Sequence, residues 1–285
     1  MSVGWGSTVG PDGALYVAEN GSGEVSRVDP RTGAVTVFAS GLPVAPNGGP
    51  TDIAFVHGTA YVLVTFVTPE VGGTGVNGIY RVDGPSAFTL IADLGAFAEA
   101  NPPATDFFVK TGVQYAFVPY RGGFLVTDGH HNRVYQVGLD GSTSVRIAFD
   151  NIVPTGIDVD GSRVYMAEAG PLPHLAANGK IVTFGKHSTT ATEVASGGPL
   201  MVDVHVGRGH GLYALAQGDW PLGGQAGSPS APNTGQLLKV GRHGTLEVLA
   251  DGLNQPVSFQ VIRGTAYVVT LGGEVWTVDL GRHGH

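Results

Sequence analysis

Three short apolar segments of the chain end in a carboxylate. These end residues are Glu19, Asp128 and Glu168, and His130 and His131 closely follow the second of them. A carboxylate can hold a metal ion or transfer a proton, while histidine exchanges protons near neutral pH and binds zinc-like metals. We therefore predict these five residues as catalytic candidates. For the two histidines the alternative is that both are solvated loop residues.

Two further carboxylates, Asp52 and Asp203, open the segments that precede the second and the fifth copies of the apolar pattern. In a ring of six copies they lie three apart, so we expect them to face each other across the axis. Opposed carboxylates suit a hard cation such as calcium, which prefers oxygen ligands. The alternative, which we favour for this pair, is that each accepts hydrogen bonds from backbone N–H groups in the loop of the next repeat.

Sharper catalytic signatures are absent from the sequence. It has no Gly-x-Ser-x-Gly elbow, no His-Glu-x-x-His helix, no phosphate-binding loop and no Rossmann glycine fingerprint. The absence of cysteine excludes disulfides, thiolate metal sites and a cysteine nucleophile. The motifs indicate no organic cofactor, and a divalent metal (calcium or zinc-like) is the cofactor that the carboxylates predict.

The apolar segment that positions these residues is repeated, at intervals of about 40 to 65 residues, as is typical of propeller blades with variable loops. Its copies begin at Leu15, Ala60, Phe124, Val164, Leu212 and Ala266. Tight turns that contain glycine precede several copies, as at Asp160-Gly161, and alternating strands such as Glu24–Val28 follow them.

Four antiparallel strands in each of six repeats predict an all-β fold, a six-bladed β-propeller that forms a single domain over residues 1–285. The last repeat stops after its third strand, so we expect a three-stranded last blade or a natural protein that is longer at one end. An unpaired outer edge there would be a place for self-association. The oligomeric state is left open.

The longest links are predicted to return to one mouth of the propeller, because links between second and third strands and between blades lie there. They span residues 65–77, 93–112, 169–179 and 217–235. Long loops on a rigid scaffold commonly carry binding sites, the alternative being tolerated insertions. His174 and Trp220 lie in two of these loops, and we expect them to roof a pocket.

Composition excludes several classes of partner. The formal net charge is −8 and no cluster of Lys and Arg occurs, which argues against nucleic acid and an anionic membrane surface. No apolar stretch has the length of a transmembrane helix, and the first residues are not a signal peptide. We therefore expect a soluble protein that meets a small-molecule substrate or ligand.

The sequence also resembles a known group of propellers. Gly10–Glu19 and Ser26–Pro30 resemble NHL-like and SMP-30-like propellers, and Ile91–Phe97, Val153–Thr155 and Asp203 resemble the narrower ScyD/ScyE-type family of scytonemin clusters. The resemblance implies a propeller that is secreted or periplasmic, over nearly the whole chain.

Two departures from these relatives bear on the site. The His130-His131 pair stands where small residues are usual in that turn. Asp52 and Asp203 match two of the four oxygen ligands that hold calcium in SMP-30-type lactonases, whereas Gly156 and Ser258 stand at the other two positions.

These observations lead to a functional expectation. The chain is predicted to be a small-molecule enzyme that hydrolyses an ester, lactone or phosphoester-like bond at the channel mouth. In this hypothesis Asp52 and Asp203 anchor a cation that polarises the bond for attack by water. The alternative is a non-catalytic propeller that binds a ligand or a protein through its long loops.

Overall fold

The computed structural model describes residues 1–281 and shows a six-bladed β-propeller, which confirms the predicted fold class. Its contacts divide the chain into two compact units, one covering residues 1–148 and the other beginning at Phe149. Each unit contains three blades. The assignment of all six blades to a single domain stays a prediction.

The first unit holds three four-stranded antiparallel blades, each in the order of its strands along the chain. Blade 1 contains β1 (Gly4–Val9), β2 (Leu15–Glu19), β3 (Glu24–Val28) and β4 (Val35–Ser40). Blade 2 contains β5 (Gly49–Val56), β6 (Thr59–Thr65), β7 (Gly78–Gly84) and β8 (Ala87–Asp93). Blade 3 contains β9 (Gln114–Tyr120), β10 (Gly123–Asp128), β11 (Arg133–Gly138) and β12 (Thr143–Ala148).

The second unit holds two four-stranded blades and one three-stranded blade, as the truncated last repeat predicts. Blade 4 contains β13 (Pro154–Asp160), β14 (Arg163–Glu168), β15 (Lys180–Phe184) and β16 (Thr192–Ser196). Blade 5 contains β17 (Met201–Val206), β18 (Leu212–Ala216), β19 (Gly235–Val240) and β20 (Leu246–Leu253). Blade 6 contains β21 (Pro256–Ile262), β22 (Thr265–Thr270) and β23 (Val275–Asp279).

The second strand of a blade is the most deeply buried, because both of its faces pack against other parts of the fold. β2 and β10 are buried at every position. Continuous apolar runs are typical of strands covered on both faces. In the first unit, Tyr16 packs edge-on against Phe38 and Phe55 at ring-centroid distances of 5.0 and 4.9 Å. The repeated apolar segment therefore builds the core.

Two-residue turns close the hairpins between first and second strands, as the glycines predict. His57 and Gly58 have φ of 50° and 81°, and Arg263 and Gly264 have φ of 53° and 85°. Two consecutive positive φ values match the twist of the flanking strands, and glycine adopts them at no steric cost.

The long links are largely irregular but contain short helices that the sequence did not predict. Two of them are 3₁₀ helices, Pro69–Val71 after β6 and Ala176–Asn178 after β14. The link after β8 begins with α1 (Leu94–Ala100), whose first turn is capped by Asp93, since its carboxylate accepts the Ala96 N–H at 2.8 Å. Within residues 1–281 no helix is long and apolar enough to cross a membrane.

Candidate functional site

Glu19, at the end of β2, is buried and fastens the start of the chain. Its Oε2 accepts the Ser2 backbone N–H at 2.6 Å and the Ser2 hydroxyl at 3.0 Å. Its Oε1 accepts the hydroxyl of Ser26 on β3. Both oxygens therefore have partners that hold two segments together.

Asp128, at the equivalent end of β10, is fully buried and accepts four hydrogen bonds. Oδ1 accepts the backbone N–H groups of Val113 and His131, both at 3.0 Å. Oδ2 accepts the Tyr135 hydroxyl and, at 3.3 Å, the Gln114 side-chain amide. Burial, and then the Asp128 charge, raise the pKa of Tyr135 above its usual range. The carboxylate thus anchors the link before β9.

His131 is 1% exposed, and both of its ring nitrogens are engaged. Arg133 Nη2 lies 2.9 Å from Nδ1, and the Val109 carbonyl lies 2.9 Å from Nε2. Since Arg133 can only donate, Nδ1 accepts and Nε2 carries the proton. The geometry therefore fits a neutral ring that holds the 101–113 link in place.

His130 is half-buried and plays a related part. Its Nε2 accepts the backbone N–H groups of Phe108 at 2.9 Å and Val109 at 3.0 Å. A nitrogen that accepts cannot also carry a proton, and burial lowers the pKa of this histidine. Contrary to the solvated-loop alternative, both histidines bind the 101–113 link.

Asp52 and Asp203 each join two neighbouring blades, by the same geometry in each unit. Asp52 Oδ1 accepts the N–H of the next residue, Ile53, at 2.8 Å, and Oδ2 accepts the Phe117 N–H on β9 at 2.9 Å. Asp203 Oδ2 accepts the Phe259 N–H on β21 at 3.0 Å. The next blade thus supplies a backbone N–H in each case, but from its first strand and not from the loop that the favoured alternative names. Burial raises the pKa of Asp52 to about 7, although the hydrogen bonds from the Phe117 and Ile53 N–H groups lower it.

The blade before each of these aspartates contributes a glycine at the junction. A Cβ atom added at Gly6 would lie inside contact distance of the Asp52 carboxylate and the Thr51 carbonyl oxygen. At Gly156 it would lie as close to Asp203, 2.5 Å from its Cα. The close approach of blades explains why glycine stands at Gly156, where the lactonase resemblance has an oxygen ligand.

Glu168 differs from the other carboxylates of the candidate site. It is 5% exposed, and no hydrogen bond to its carboxyl group is found among residues 1–281. On the sheet it pairs with Pro154 on one side and Lys180 on the other. Burial raises its pKa to about 7, although the Lys180 charge lowers it, and the Glu193 charge adds to the increase. Lys180 itself donates to Glu193 at 2.8 Å.

The two long loops of the second unit touch each other through His174 and Trp220, whereas the pocket predicted beneath these residues stays a prediction. The rings of His174 and Trp220 meet edge to face, with centroids 5.8 Å apart. His174 Nδ1 donates to the Gly170 carbonyl at 2.7 Å, and Trp220 Nε1 donates to the Ser228 carbonyl at 3.0 Å. Burial lowers the pKa of His174.

Unpartnered polar atoms also occur in these links. Ser228 Oγ and Asn254 Oδ1 are buried without a hydrogen-bond partner in the described part of the chain. Next to Asn254, Gln255 donates to the Ser230 carbonyl at 2.7 Å and so ties this link to the 217–234 loop. Because buried polar groups normally have partners, such atoms indicate places for a ligand or an ordered water.

Sequence reasoning missed a side-chain pair on the inner strands of the second unit. His205 Nδ1 lies 3.2 Å from Asp158 Oδ2, and both side chains are about one-fifth exposed, at 21% and 22%. The two residues occupy the same register, opposite Tyr213 and Tyr165. Aligning the inner strands against these tyrosines would have revealed the pair.

Residues 1–281 contain no group of three or more His, Asp or Glu side chains that could hold a metal ion. The carboxylate oxygens of Asp52 and Asp203 described above, which would have to bind the metal, accept hydrogen bonds from backbone N–H groups. The divalent metal therefore stays a prediction from the sequence.

Comparison with known proteins supports the architecture. No protein-family model matches the sequence, and no curated protein matches it. Among solved structures, the PQQ-bound aldose sugar dehydrogenase of Streptomyces coelicolor has a TM-score of 0.67 at 13% identity, covering 98% of this chain and 93% of that one. These likenesses show the fold alone.

Two further solved structures are similar to this chain in fold at low sequence identity. The nidogen/laminin complex has a TM-score of 0.64 at 16% identity, covering 93% of this chain and 89% of that one. Virginiamycin B lyase from Staphylococcus aureus has a TM-score of 0.62 at 14% identity, covering 98% and 95%. Similar propellers thus include enzymes as well as proteins that are not enzymes.

Proposed function

We propose that this chain is a small-molecule enzyme that hydrolyses an ester, lactone or phosphoester-like bond, with Glu168 as its acid–base group. The observation that carries the proposal is Glu168, a residue that is only 5% exposed and whose carboxyl group has no hydrogen-bond partner among residues 1–281. Glu19 and Asp128 end equivalent strands, but their oxygens hold the chain together.

The raised pKa of Glu168 suits this role. A general acid–base group works best when its pKa lies near the operating pH, and burial raises that of Glu168 to about 7. Perturbed groups of this kind are common at functional sites. The adjoining 169–179 loop, held against the 217–234 loop by His174 and Trp220, supplies walls for a substrate.

The chemistry can be written for an ester. The Glu168 carboxylate removes a proton from water while the water oxygen bonds to the carbonyl carbon. The carboxylic acid so formed returns that proton to the alkoxide oxygen as the C–O bond breaks. Turnover therefore needs the carboxylate first, so kcat/KM should rise with pH through about 7.

The test is turnover on a panel of small esters, lactones and phosphotriesters by the wild type and by Glu168→Gln. Glutamine keeps the shape but cannot accept the proton, so we expect kcat to fall by about a hundredfold or more. Glu247→Gln, which changes an exposed carboxylate on the outer strand of blade 5, is the control and should keep its activity. Equal turnover by wild type and Glu168→Gln would refute the role of Glu168.

A divalent metal at Asp52 or at Asp203 is a separate part of the proposal. Elemental mass spectrometry of the purified protein, followed by the same panel after chelation, tests it. About one equivalent of metal together with chelator-sensitive turnover would support a metal-assisted reaction. Turnover that survives complete metal removal would leave Glu168 as the sole proposed group.

The second candidate function is non-catalytic binding, and the exposed aromatic residues of the 101–113 link favour it. Phe108 is 75% exposed although its ring lies edge-on to His130, with centroids 4.3 Å apart. Phe107 is 38% exposed and contacts His131. Aromatic side chains held on a fixed loop are typical anchors for a partner. Calorimetric binding without turnover across the panel would favour this candidate.

The narrower resemblance to the ScyD/ScyE-type family and the secreted or periplasmic location that it implies belong to the proposal as well. Fractionation of the producing cells tests the location.

A further inference from the structure

The outer strand of blade 6 differs from the outer strand of every other blade. Five blades have a fourth strand that covers the third, whereas within residues 1–281 β23 in blade 6 pairs only with β22. An uncovered edge presents backbone N–H and C=O groups that can pair with another strand.

The hydrogen bonds at the two ends of the β22–β23 ladder show which backbone groups of β23 face outward. Thr270 N–H donates to the Glu274 carbonyl, and Leu280 N–H donates to the Gly264 carbonyl, both at 3.0 Å. Bonded and non-bonded pairs alternate along an antiparallel ladder. Since residues 274 and 280 are bonded to β22, every second residue between them, namely 276 and 278, also bonds to β22.

It follows that Val275, Thr277 and Asp279 turn their backbone N–H and C=O groups away from β22. No backbone hydrogen bond from these groups to any residue among 1–281 is found. The Asp279 side chain accepts the Gly281 N–H at 2.9 Å, which leaves its outward backbone groups unused.

We propose that this chain forms a two-fold symmetric dimer in which β23 pairs antiparallel with β23 of a second copy, centred on Thr277. In this register Thr277 faces Thr277 of the second copy, and Val275 faces Asp279 of the second copy. All three facing pairs then join outward-directed residues, so each exchanges two backbone hydrogen bonds. Two three-stranded blades become one six-stranded sheet.

The side chains are compatible with this register. Trp276 faces Val278 of the second copy, an aromatic and β-branched pair of the kind that stabilises sheets. Glu274 faces Leu280, and Asp279 faces Val275, so no carboxylate lies directly opposite another. A register centred on residue 276 would join fewer outward-directed pairs, because Asp279 would then face Gly273.

The mass of the full chain in solution tests the dimer. Light scattering and analytical ultracentrifugation over about a hundredfold range of concentration should show a species of twice 29.3 kDa that dissociates on dilution. A wild type that stays monomeric throughout would overturn the proposal.

Substitutions at the two-fold axis locate the interface. Thr277→Asp places two like charges directly opposite each other, so dimerisation should weaken at least about tenfold. Asparagine has nearly the same size as aspartate but no charge, so the Thr277→Asn variant should still dimerise. Because the Thr277 side chain is exposed, both variants should fold, which circular dichroism checks. A dimer that tolerates Thr277→Asp uses another surface and would refute the assignment.

Hydrogen exchange provides a second readout that mass alone does not. In the dimer the amides of Val275, Thr277 and Asp279 should be protected, and they should exchange rapidly on dilution or in Thr277→Asp. The amides of Trp276 and Val278 bond within the blade and should stay protected in both states. A wild-type dimer with unprotected outward amides would contradict the proposal.

Discussion

Asp128 and Glu168 end equivalent strands and are both buried, yet their surroundings give them different roles. Four donors converge on the Asp128 carboxylate, whereas none of the described residues donates to Glu168. A buried carboxylate without donors is costly when charged, so it keeps its proton to a higher pH. Position in the repeat therefore does not decide chemistry; the number of donors does.

This difference predicts how stability depends on pH. The pKa of Glu168 is raised from 4.5 to about 7 in the folded chain. Between these values the unfolded chain has lost the proton that the folded chain keeps, so rising pH should lower the free energy of unfolding. For this group the loss is on the order of 3 kcal/mol and is complete only when the pH is well above 7.

Urea unfolding at a series of pH values measures this effect. Glu168→Gln has no proton to lose, so its stability should fall less over the same interval than that of the wild type. Glu247→Gln serves as the control, because Glu247 is exposed on the outer strand of blade 5 and lies outside the surroundings of Glu168 that set its pKa. A Glu168→Gln profile parallel to the wild type would show that the folded chain does not raise this pKa.

At the scale of elements, the 101–113 link is ordered by side chains from outside it. His130 accepts the amides of Phe108 and Val109, and Glu70 accepts those of Lys110 at 2.9 Å and Thr111 at 3.2 Å. Two acceptors of different chemistry thus hold consecutive amides of one loop.

The two acceptors should respond differently to acid. Burial lowers the pKa of His130, so the ring protonates only as pH falls below its ordinary value of 6.5. Protonated Nε2 cannot accept, and Phe108 and Val109 should then lose exchange protection, after correction for intrinsic rates. Although burial raises the pKa of Glu70, hydrogen bonds from Lys110 and Thr111 hold it below the usual range.

Amide exchange between about pH 7 and pH 5 tests the prediction within a single loop. Lys110 and Thr111 are the internal control and should stay protected. In His130→Gln the amide oxygen can accept at every pH, so the pH dependence at Phe108 and Val109 should disappear. Equal loss of protection at all four amides would indicate general opening of the loop rather than titration of His130.

At the scale of the whole molecule, the sequence predicts the blades better than the site. The repeated apolar segments and turn glycines such as Gly58 act locally, so six blades and a three-stranded last blade could be expected from them. The partners of Asp128 and Asp52 lie up to 65 residues away, and nothing in the spacing identifies them as donors. The helix Leu94–Ala100 was missed because seven residues, about two turns, show little periodicity.

Gly6 and Gly156 offer a test of whether all six blades unfold as one domain. A Cβ atom at either position would meet backbone atoms of the next blade, namely the Thr51 oxygen or the Asp203 Cα, each at 2.5 Å. Backbone yields little, so Gly6→Ala and Gly156→Ala should each lower the free energy of unfolding by about 1–3 kcal/mol. Gly84→Ala and Gly272→Ala, whose nearest neighbours are 3.7 Å away, are the controls.

If the chain unfolds as a single cooperative domain, either substitution must destabilise both units, residues 1–148 and the part from Phe149 onward, by the same amount. Hydrogen exchange in increasing urea, read from peptides of each unit, measures this, and we expect the midpoints of both units to move together. If Gly6→Ala moved only the peptides of residues 1–148, the chain would contain two independently unfolding units, and the single-domain prediction would be wrong.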